Sequence, residues 1–595
     1  MTAPPPNPNA PIDSGLLRGA GGPISGGAPA NSASSGGETW SLIEAFLSPP
    51  APQKQTETAV ENFARQHARH DYAEPAQSRY YRDLIPLAAP RPGEQFAFEV
   101  DLDACSGCKA CVTACHNLNG LEDDELWRSV GMLHGGTTAA PVVQHITTAC
   151  HHCLEPACLI GCPVKAYEKD PVTGIVRHLD DQCIGCQYCI LKCPYDVPKY
   201  SPSKGIVRKC DMCSDRLAVG EAPACVQGCP NQAIRIKVVN QQELIEQCEA
   251  SLFLPGAPEP GYTLPSTIYK TARALPRNLL PADYYSVTPG HRHAALVNML
   301  VLTQMSVGAF AVQQGLSWLG DAPEGAGKAA LGNIVFALLL GMTGLLAAIF
   351  HLGRPRYAFR AMIGLRTSWL SREILAFGLF AGCATGCAVL AAADRWDIEI
   401  APLWQTALGA GAVLFGGIGI LCSVMIYADT QRPFWSGERT GPKFFWTAAL
   451  LGLSASLLAA IVGASSNPQS LAQIMRAWGS NGAVLLALVA GSKMIWELAI
   501  FRHLWSKQNT ALKRTALLLR GDLQRMTKRR FAAGVLGGVL LPLLLAIPPA
   551  REYSIPLVLT AAVVSFALNL MAEWWERSLF FTAVVAPKMP GVPAG

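Results

Sequence analysis

The chain has 595 residues, half of them hydrophobic, with only 15% charged and a mean hydropathy of +0.23. This composition excludes an intrinsically disordered chain, which needs low hydrophobicity and high charge. It is also too apolar for one soluble globular protein and too polar for a pure membrane bundle. The net charge of +5 gives no reason to expect a nucleic-acid partner, because such proteins carry a strongly basic footprint.

The cysteines and the apolar runs separate along the chain. Sixteen of the twenty cysteines fall between Cys105 and Cys229, and the long apolar runs all follow residue 293. A leader rich in Pro, Gly, Ala and Ser precedes both and shows no export signal of its own. The predicted order is a disordered leader with a partner-docking extension (1–90), a cysteine-rich domain (91–250), a linker (251–293), a membrane domain (294–576) and a cytoplasmic tail (577–595).

The sixteen cysteines form four regularly spaced groups. The groups are Cys105, Cys108, Cys111 and Cys115; Cys150, Cys153, Cys158 and Cys162; Cys183, Cys186, Cys189 and Cys193; and Cys210, Cys213, Cys225 and Cys229. The first and third have the full C-x2-C-x2-C-x3-C spacing, and the other two contain an insertion. In this spacing three thiolates wrap one [4Fe–4S] cluster, while the fourth reaches the neighbouring cluster. The pattern therefore predicts four [4Fe–4S] clusters in an α+β, ferredoxin-like domain.

The same rule predicts which cysteines share a cluster, if groups pair by the pseudo-symmetry of a duplicated ferredoxin. The predicted sets are set A (Cys105, Cys108, Cys111, Cys229), set B (Cys150, Cys153, Cys158, Cys193), set C (Cys183, Cys186, Cys189, Cys162) and set D (Cys210, Cys213, Cys225, Cys115). Structural zinc and disulfides are the alternatives, but zinc usually separates its C-x2-C pairs by a longer gap, and nothing indicates secretion. Four clusters in one small domain indicate a series of electron carriers, here called the wire, along which electrons pass from one cluster to the next.

The second half of the chain predicts an all-α bundle of eight transmembrane helices. Each apolar run approaches the roughly 20 residues that a membrane-spanning helix needs. The runs show no amphipathic alternation, which disfavours a soluble helical core. The predicted spans are 294–319, 329–352, 373–393, 403–427, 444–464, 481–500, 531–548 and 556–574.

Lys and Arg in the connections predict the orientation of the bundle. The side that carries the cysteine-rich domain has 23 of them, against four on the opposite side. By the positive-inside rule, this asymmetry places the cysteine-rich domain and both termini in the cytoplasm. We therefore expect a multi-pass protein of the inner membrane, in contact with membrane lipid.

The histidines of the membrane half argue against haem and for a quinone. After residue 290 the only histidines are His291, His293, His351 and His503, and none lies in mid-span, where the axial ligands of a b-type haem are needed. Electrons then pass directly between a cluster and a lipid-soluble carrier, for which a quinone is the obvious candidate.

A quinone exchanges protons together with electrons, so its site needs titratable groups near the clusters. His351, at the end of the second span, is predicted to exchange a proton with a quinone oxygen, and Glu373 to relay it. Gly353 is predicted to shape the turn, with Arg354 and Arg356 beside the bound quinone. The alternative is that these residues are separate anchors at the membrane interface.

A second pair of ionisable residues lies inside the sixth span. Lys493 and Glu497 are four residues apart, so they form either an intrahelical ion pair or part of a proton path. The four cysteines outside the groups are interpreted as packing residues.

These motifs resemble the dimethyl sulfoxide reductase family, with two of its subunits joined end to end. Residues 95–245, beginning with Cys105-Ser106-Gly107-Cys108-Lys109-Ala110-Cys111, resemble the four-cluster electron-transfer subunit. Some relatives have Trp at the position of Cys186 and hold a three-iron cluster there, so the cysteine implies a four-iron one. Residues 290–580 resemble the eight-helix anchor subunit, whose menaquinol site maps onto His351 and Glu373. Where the family has a basic residue six after that histidine, this chain has Tyr357.

The resemblance implies a separate catalytic subunit that holds a molybdopterin cofactor and carries out the substrate chemistry. The chain is then the wire and anchor that connects this subunit with the quinone pool, either in a dimethyl sulfoxide reductase-like direction or in the reverse direction, as in sulfite oxidation. A formate or polysulfide enzyme is another possible partner. The alternative from a different class is a redox-linked membrane transporter or sensor.

Overall fold

The computed structural model describes residues 65, 81–319, 326–394, 401–547 and 554–592. Of the predicted leader and extension (1–90), residues 1–64 and 66–80 lie outside the described residues. At the end of the 1–90 range, Tyr81 and Leu84 are buried in the core of the cysteine-rich domain. The described residues from 81 onward belong to one compact unit, so contacts between the cysteine-rich and membrane halves lie within one body.

Short strands and short helices alternate in the described part of the cysteine-rich half. The strands are β1 (Glu94–Asp101), β2 (Ser129–Gly136), β3 (Pro141–Thr148), β4 (Tyr167–Lys169), β5 (Val176–His178), β6 (Lys199–Ser201), β7 (Ile206–Arg208), β8 (Ile234–Asn240), β9 (Ile268–Lys270) and β10 (Leu280–Pro281). The helices are α1 (Ala110–Asn119), α2 (Ala157–Ile160), α3 (Tyr188–Lys192), α4 (Ser214–Ala218), α5 (Ala224–Gln227) and α6 (Gln241–Glu249). This confirms the predicted α+β class.

The sheets tie distant parts of the chain together. β1 is the central strand of one sheet, with β8 antiparallel on one side and β9 parallel on the other. β2 pairs with β3 and with β10, and two small hairpins, β4–β5 and β6–β7, complete the domain. The segment predicted as a linker (251–293) therefore supplies two strands, because its backbone completes open sheet edges.

The tail also returns to this domain. Met589 is buried in the same core as β1, and Lys588 forms an ion pair with Asp283 at 2.8 Å. Close backbone packing joins Gly591 to Met132 of β2, where no side chain would fit.

Eight helices in the described residues are long and apolar enough to cross a membrane, which confirms the predicted bundle. The first five are α7 (Ala294–Leu319), α8 (Ala326–Phe350), α9 (Trp369–Asp394), α10 (Pro402–Ala428) and α11 (Gly437–Ala464). The sixth span, Pro468–Trp505, contains α12 (Pro468–Ile474) and α13 (Ser480–Leu498). After the connecting helix α14 (Ala511–Arg520), the seventh span contains α15 (Gln524–Val535) and α16 (Leu541–Ala546), and α17 (Ile555–Thr582) is the eighth.

Several boundaries differ from the predicted ones. α9 begins at Trp369, so Glu373 lies inside the helix instead of opening it. α17 continues to Thr582, so Arg577 is a buried helical residue and not part of a tail. These helices extend beyond their apolar runs because their polar ends are buried against neighbouring elements. A π-helical turn interrupts the sixth span at Met475–Gly479 and the seventh at Leu536–Leu540.

Candidate functional site

The thiols whose charged neighbours are known have neighbours that agree with the four predicted sets, and the partition of the ligands stays a prediction. Burial raises the pKa of most of these thiols, and the neighbouring thiols that raise it further mostly belong to the same set. Cys153 is influenced in this way by Cys150, Cys193 and Cys158, which are the other members of set B. The corresponding neighbours are Cys108, Cys111 and Cys229 for Cys105; Cys225 and Cys213 for Cys115; and Cys186, Cys162 and Cys183 for Cys189.

Thiols of one set that lie within electrostatic range of another set indicate the spatial order A, D, B, C. Cys225 of set D lies beside Cys111 of set A, and Cys210 of set D lies beside Cys150 of set B. Tyr167 lies between thiols of sets B and C. The order in space thus differs from the order along the chain, as expected when the last cysteine of each group crosses to a partner group.

The donor set fits iron–sulfur clusters better than single metal ions. In the described residues, which include every cysteine, no three Cys, His, Asp or Glu side chains converge closely enough for one metal ion, and all twenty cysteines are free. A [4Fe–4S] cluster holds its four thiolate sulfurs farther apart than a single zinc ion does. Backbone N–H groups also point at sulfur, and such hydrogen bonds tune cluster potentials. They run to Sγ of Cys162, Cys183, Cys210 and Cys229 at 3.2–3.4 Å.

The two complete cysteine runs adopt matching left-handed turns. Gly107 and Lys109 have φ of 74° and 62° in the first run, and Gly185 and Gln187 have 69° and 60° in the third. Such positive φ values are easily adopted by glycine. Repetition of the turn at the same positions agrees with an internally duplicated domain.

The two ends of the series of sets face different surroundings. Cys108 of set A is exposed to solvent at the surface of the domain. Set C instead packs on the membrane half, since Cys186 contacts the apolar core of the bundle and Tyr188, two residues later, is buried within it. The Tyr188 hydroxyl donates to the backbone oxygen of Ile426 at 3.2 Å.

Gly353 and Arg354 contact the set C loop, which sequence reasoning did not anticipate. Gly353 N–H donates to the Gly185 carbonyl at 3.4 Å, and Arg354 N–H donates to the Ile184 carbonyl at 3.0 Å. The Arg354 guanidinium also donates to the Asp180 carbonyl at 2.7 Å. These residues hold the loop against the end of α8, and their contact with a quinone stays a prediction.

Further polar contacts hold the two halves together around set C. Gly364 N–H donates to the Pro163 carbonyl at 2.7 Å, directly after Cys162. Lys192 forms an ion pair with Asp429 at 2.6 Å, with the lysine side chain almost completely buried. Set C is therefore fixed relative to the ends of α8, α9 and α10.

The two predicted proton-exchanging residues lie at these same helix ends. Glu373 is only 5% exposed, accepts a hydrogen bond from Ser423 of α10, and lies close to Tyr188. His351 directly follows α8 and packs its ring edge-on against His293, with 5.6 Å between ring centroids. Burial, together with His291, lowers the pKa of His351 to about 4, so its imidazole is neutral near pH 7.

Within the described residues, no hydrogen bond or ring contact joins His351 to Glu373. Arg356 is exposed and has a different environment from Arg354. Sequence reasoning missed Tyr188, Ser423 and His293 as neighbours of the predicted quinone site. Only His293 carried a signal, as a histidine next to the first span.

The ion pair predicted inside the sixth span is part of a larger buried network. Lys493 and Glu497 lie 3.8 Å apart, but the closest partner of Lys493 is Glu573 of α17, and both of these side chains are 0% exposed. Arg530 of α15 contacts Glu497 and Glu573, each at 3.0 Å. The network also includes Lys443, Glu576 and Arg577. The intrahelical pair is therefore real, but it is a minor contact.

Comparison with known families separates the same two halves. Residues 142–239 match the family model described as a 4Fe-4S dicluster domain. Residues 287–582 match the model described as the DMSO reductase anchor subunit (DmsC). The first match contains the second, third and fourth cysteine groups, and the second match contains all eight spans.

Three curated proteins illustrate the similarity of the cysteine-rich half. The formate dehydrogenase iron-sulfur subunit of Haemophilus influenzae is 36% identical, over 27% of this chain and 60% of its own length. The nitrate-inducible formate dehydrogenase iron-sulfur subunit of Escherichia coli is 30% identical, over 35% of this chain and 73% of its own length. The B subunit of the anaerobic dimethyl sulfoxide reductase of Escherichia coli is 33% identical, over 24% and 72% respectively. The similarity thus covers less than two thirds of the first of these relatives.

Proposed function

We propose a function from the family to which the protein belongs, the dimethyl sulfoxide reductase-type iron–sulfur and membrane-anchor subunits. In this proposal the protein carries electrons between a separate molybdopterin-containing subunit and the membrane quinone pool. Four [4Fe–4S] clusters, held by sets A to D, would supply one-electron transfer. The protein itself supplies the ligands, the insulation and the quinone-reactive surface. Substrate chemistry belongs to the partner subunit.

The arrangement of the two ends of the series supports this proposal most directly. Set C rests on the membrane helices, where a lipid-soluble quinone arrives, and set A includes the solvent-exposed Cys108 at the other end. An electron path that begins in the membrane and ends at an exposed face needs a partner protein at that face. The proposed docking site of the catalytic subunit therefore lies around set A.

The quinone is proposed to bind between set C and the cluster-side ends of α8, α9 and α10. Glu373 is buried there beside the Ser423 hydroxyl, and His351 presents a neutral imidazole. A neutral imidazole can donate a hydrogen bond to a quinone oxygen or accept a proton from a quinol hydroxyl, and the imidazolium that forms can then pass the proton on. In this proposal His351 exchanges the proton and Glu373 passes it on. Menaquinone is the carrier suggested by the anchor family.

The orientation is also a proposal. The excess of Lys and Arg on the side of the cysteine-rich domain favours a cytoplasmic location for this domain and for both termini. The catalytic partner would then also lie in the cytoplasm, and the bundle would lie in the inner membrane.

Purification of the tagged full-length protein from its own membranes tests the proposed function. The proposal predicts a co-purifying subunit that contains molybdenum and a pterin, together with about sixteen irons per copy of this protein. Purification with no pterin-containing partner, or with stoichiometric zinc in place of iron, would exclude it.

A further inference from the structure

Two buried cations lie between successive thiol sets of the cysteine-rich domain. Arg128 lies between sets A and D, and Lys209 lies between sets D and B; each is 2% exposed. We propose that these two fixed charges raise the reduction potentials of the clusters on either side of them. Residues between the clusters would then set the potentials along the electron path. The proposal rests on the assignment of four clusters to the sets.

The surroundings of Arg128 leave its positive charge without a carboxylate. Its Nη1 donates to the Thr147 hydroxyl at 3.1 Å, and this hydroxyl lies 3.4 Å from the Cys111 sulfur. The guanidinium also lies over the Phe98 ring, 4.7 Å from its centroid. Its Nε and Nη2 are buried, and no described residue offers them a hydrogen-bond partner. No described carboxylate forms an ion pair with it.

A buried guanidinium in this position needs an anionic partner, because an unpaired charge in the interior is strongly destabilising. The groups that face it are thiols of both neighbouring sets. They are Cys111 of set A and Cys115, Cys210 and Cys225 of set D. The negative charge that balances Arg128 is therefore supplied by the thiolate-bound clusters themselves.

Lys209 occupies the corresponding position in the next gap. Its ammonium group donates to the Val176 carbonyl and, at 2.9 Å, to the Cys210 carbonyl. It lines one cavity together with Cys150 and Cys158 of set B, and Cys210 of set D follows it directly in the chain. The carboxylate of Asp211 is also among its charged neighbours. The gap between sets B and C instead contains Tyr167, a neutral phenol that is also buried.

A fixed cation next to a cluster stabilises the state that carries the extra electron, since that state has one more negative charge. The effect is strong in an interior of low dielectric constant and falls with distance. Arg128 should therefore act on the clusters of sets A and D, and Lys209 on those of sets D and B. The cluster of set D is the one that feels both.

Potentiometric titration of the cluster-loaded full-length protein, monitored by EPR, tests this pattern. In Arg128→Met we expect two of the four midpoint potentials to fall, each by about a tenfold change in the reduction equilibrium, which is 59 mV for a one-electron couple. In Lys209→Met we expect two to fall as well, with one cluster affected by both substitutions. Lys270→Met, which removes an exposed lysine of β9, is the control for loss of a positive charge and should shift none comparably.

Iron content is measured in every variant to show that the clusters are present. Arg128→Lys and Arg128→Gln are included in case the Arg128→Met protein does not bind its full set of clusters. The charge-retaining Arg128→Lys should shift the potentials less than Arg128→Gln does. Unchanged potentials in variants that keep their iron would overturn the proposal. An equal shift of all four potentials would also overturn it, because that result would indicate a general change of the domain.

Discussion

Gly353, after the second membrane helix, contacts Gly185 inside the set C loop, with Gly353 N–H donating to the Gly185 carbonyl at 3.4 Å. A β-carbon on Gly353 would lie 2.2 Å from the Gly205 carbonyl oxygen, and one on Gly185 would lie 2.4 Å from the same atom. A side chain at Gly353 would meet the β6–β7 hairpin at Gly205, and one at Gly185 would meet both that hairpin and the Gly353 backbone, 2.9 Å away. The junction between wire and membrane thus depends on a backbone-to-backbone contact.

Gly353→Ala should therefore impair electron transfer between quinol and clusters without unloading the clusters. Displacement of a reacting group by a small distance can lower a rate by roughly tenfold to a hundredfold. Stopped-flow reduction of the clusters by a quinol analogue measures this rate, and iron analysis measures loading. Gly382→Ala, in open space on α9, is the control and should behave like the wild type. A normal rate in Gly353→Ala would mean that the contact does not set the distance.

His351→Ala should reduce the rate of cluster reduction by a quinol analogue by roughly a hundredfold, the range expected for loss of a proton-transferring group. Glu373→Gln should have a smaller effect, because this residue is proposed only to relay the proton. Reduction by dithionite, which bypasses the quinone site, should be normal in both variants. If the two variants react with quinol as fast as the wild type, the proposed quinone site is wrong.

The buried histidines should make the protein less stable in mild acid. The pKa of His351 is lowered to about 4, below its value in an unfolded chain, so the unfolded state binds more protons between about pH 6.5 and pH 4. Stability is therefore fully retained above about pH 6.5 and decreases as the pH falls through this window. His351→Gln should show a smaller loss of Tm between pH 7 and pH 5 in detergent. An identical loss in the variant would contradict the assigned direction of the shift.

Lys493→Met should destabilise the membrane half, because Glu573 would lose its closest partner in a fully buried site. Removing one member of a buried ion pair typically costs about 3–5 kcal/mol. The double variant Lys493→Met/Glu573→Gln should recover part of the loss, although Arg530 then loses a contact. Thermal unfolding in detergent measures these effects, with Lys507→Met at an exposed site as control. A Tm equal to that of Lys507→Met would show that the network is not stabilising.

The four cysteine groups could be recognised in the sequence because the spacing of cluster ligands is a local property, whereas their partition into sets stays a prediction. Cys105, Cys108 and Cys111 lie within seven residues, at and just before the start of α1, and only the crossing cysteine required a rule about the neighbouring group. The eight spans could be predicted for the same reason, since each follows from the hydropathy of one continuous segment.

The contacts that connect the halves could not be predicted, because they join residues far apart in the sequence. Gly353 has no local feature that points to Gly185, and Lys493 lies one turn from Glu497 although its closest partner is Glu573. Arg577 shows the converse limit. A charged residue usually lies beyond the end of a membrane span, so the sequence predicts that Arg577 belongs to the tail. In the structure Arg577 is buried, and its guanidinium donates hydrogen bonds to Gln304 and Thr447.

The most direct test of the central claim is the mixing of oxidised, fully cluster-loaded full-length protein with a menaquinol analogue in the absence of any partner subunit. The visible absorbance of the clusters is followed with time. We predict that quinol bleaches the absorbance and that a quinone-site inhibitor prevents the bleaching. Clusters that dithionite reduces but quinol leaves oxidised, at a quinol potential below that of the clusters, would contradict an electron path from the membrane through set C.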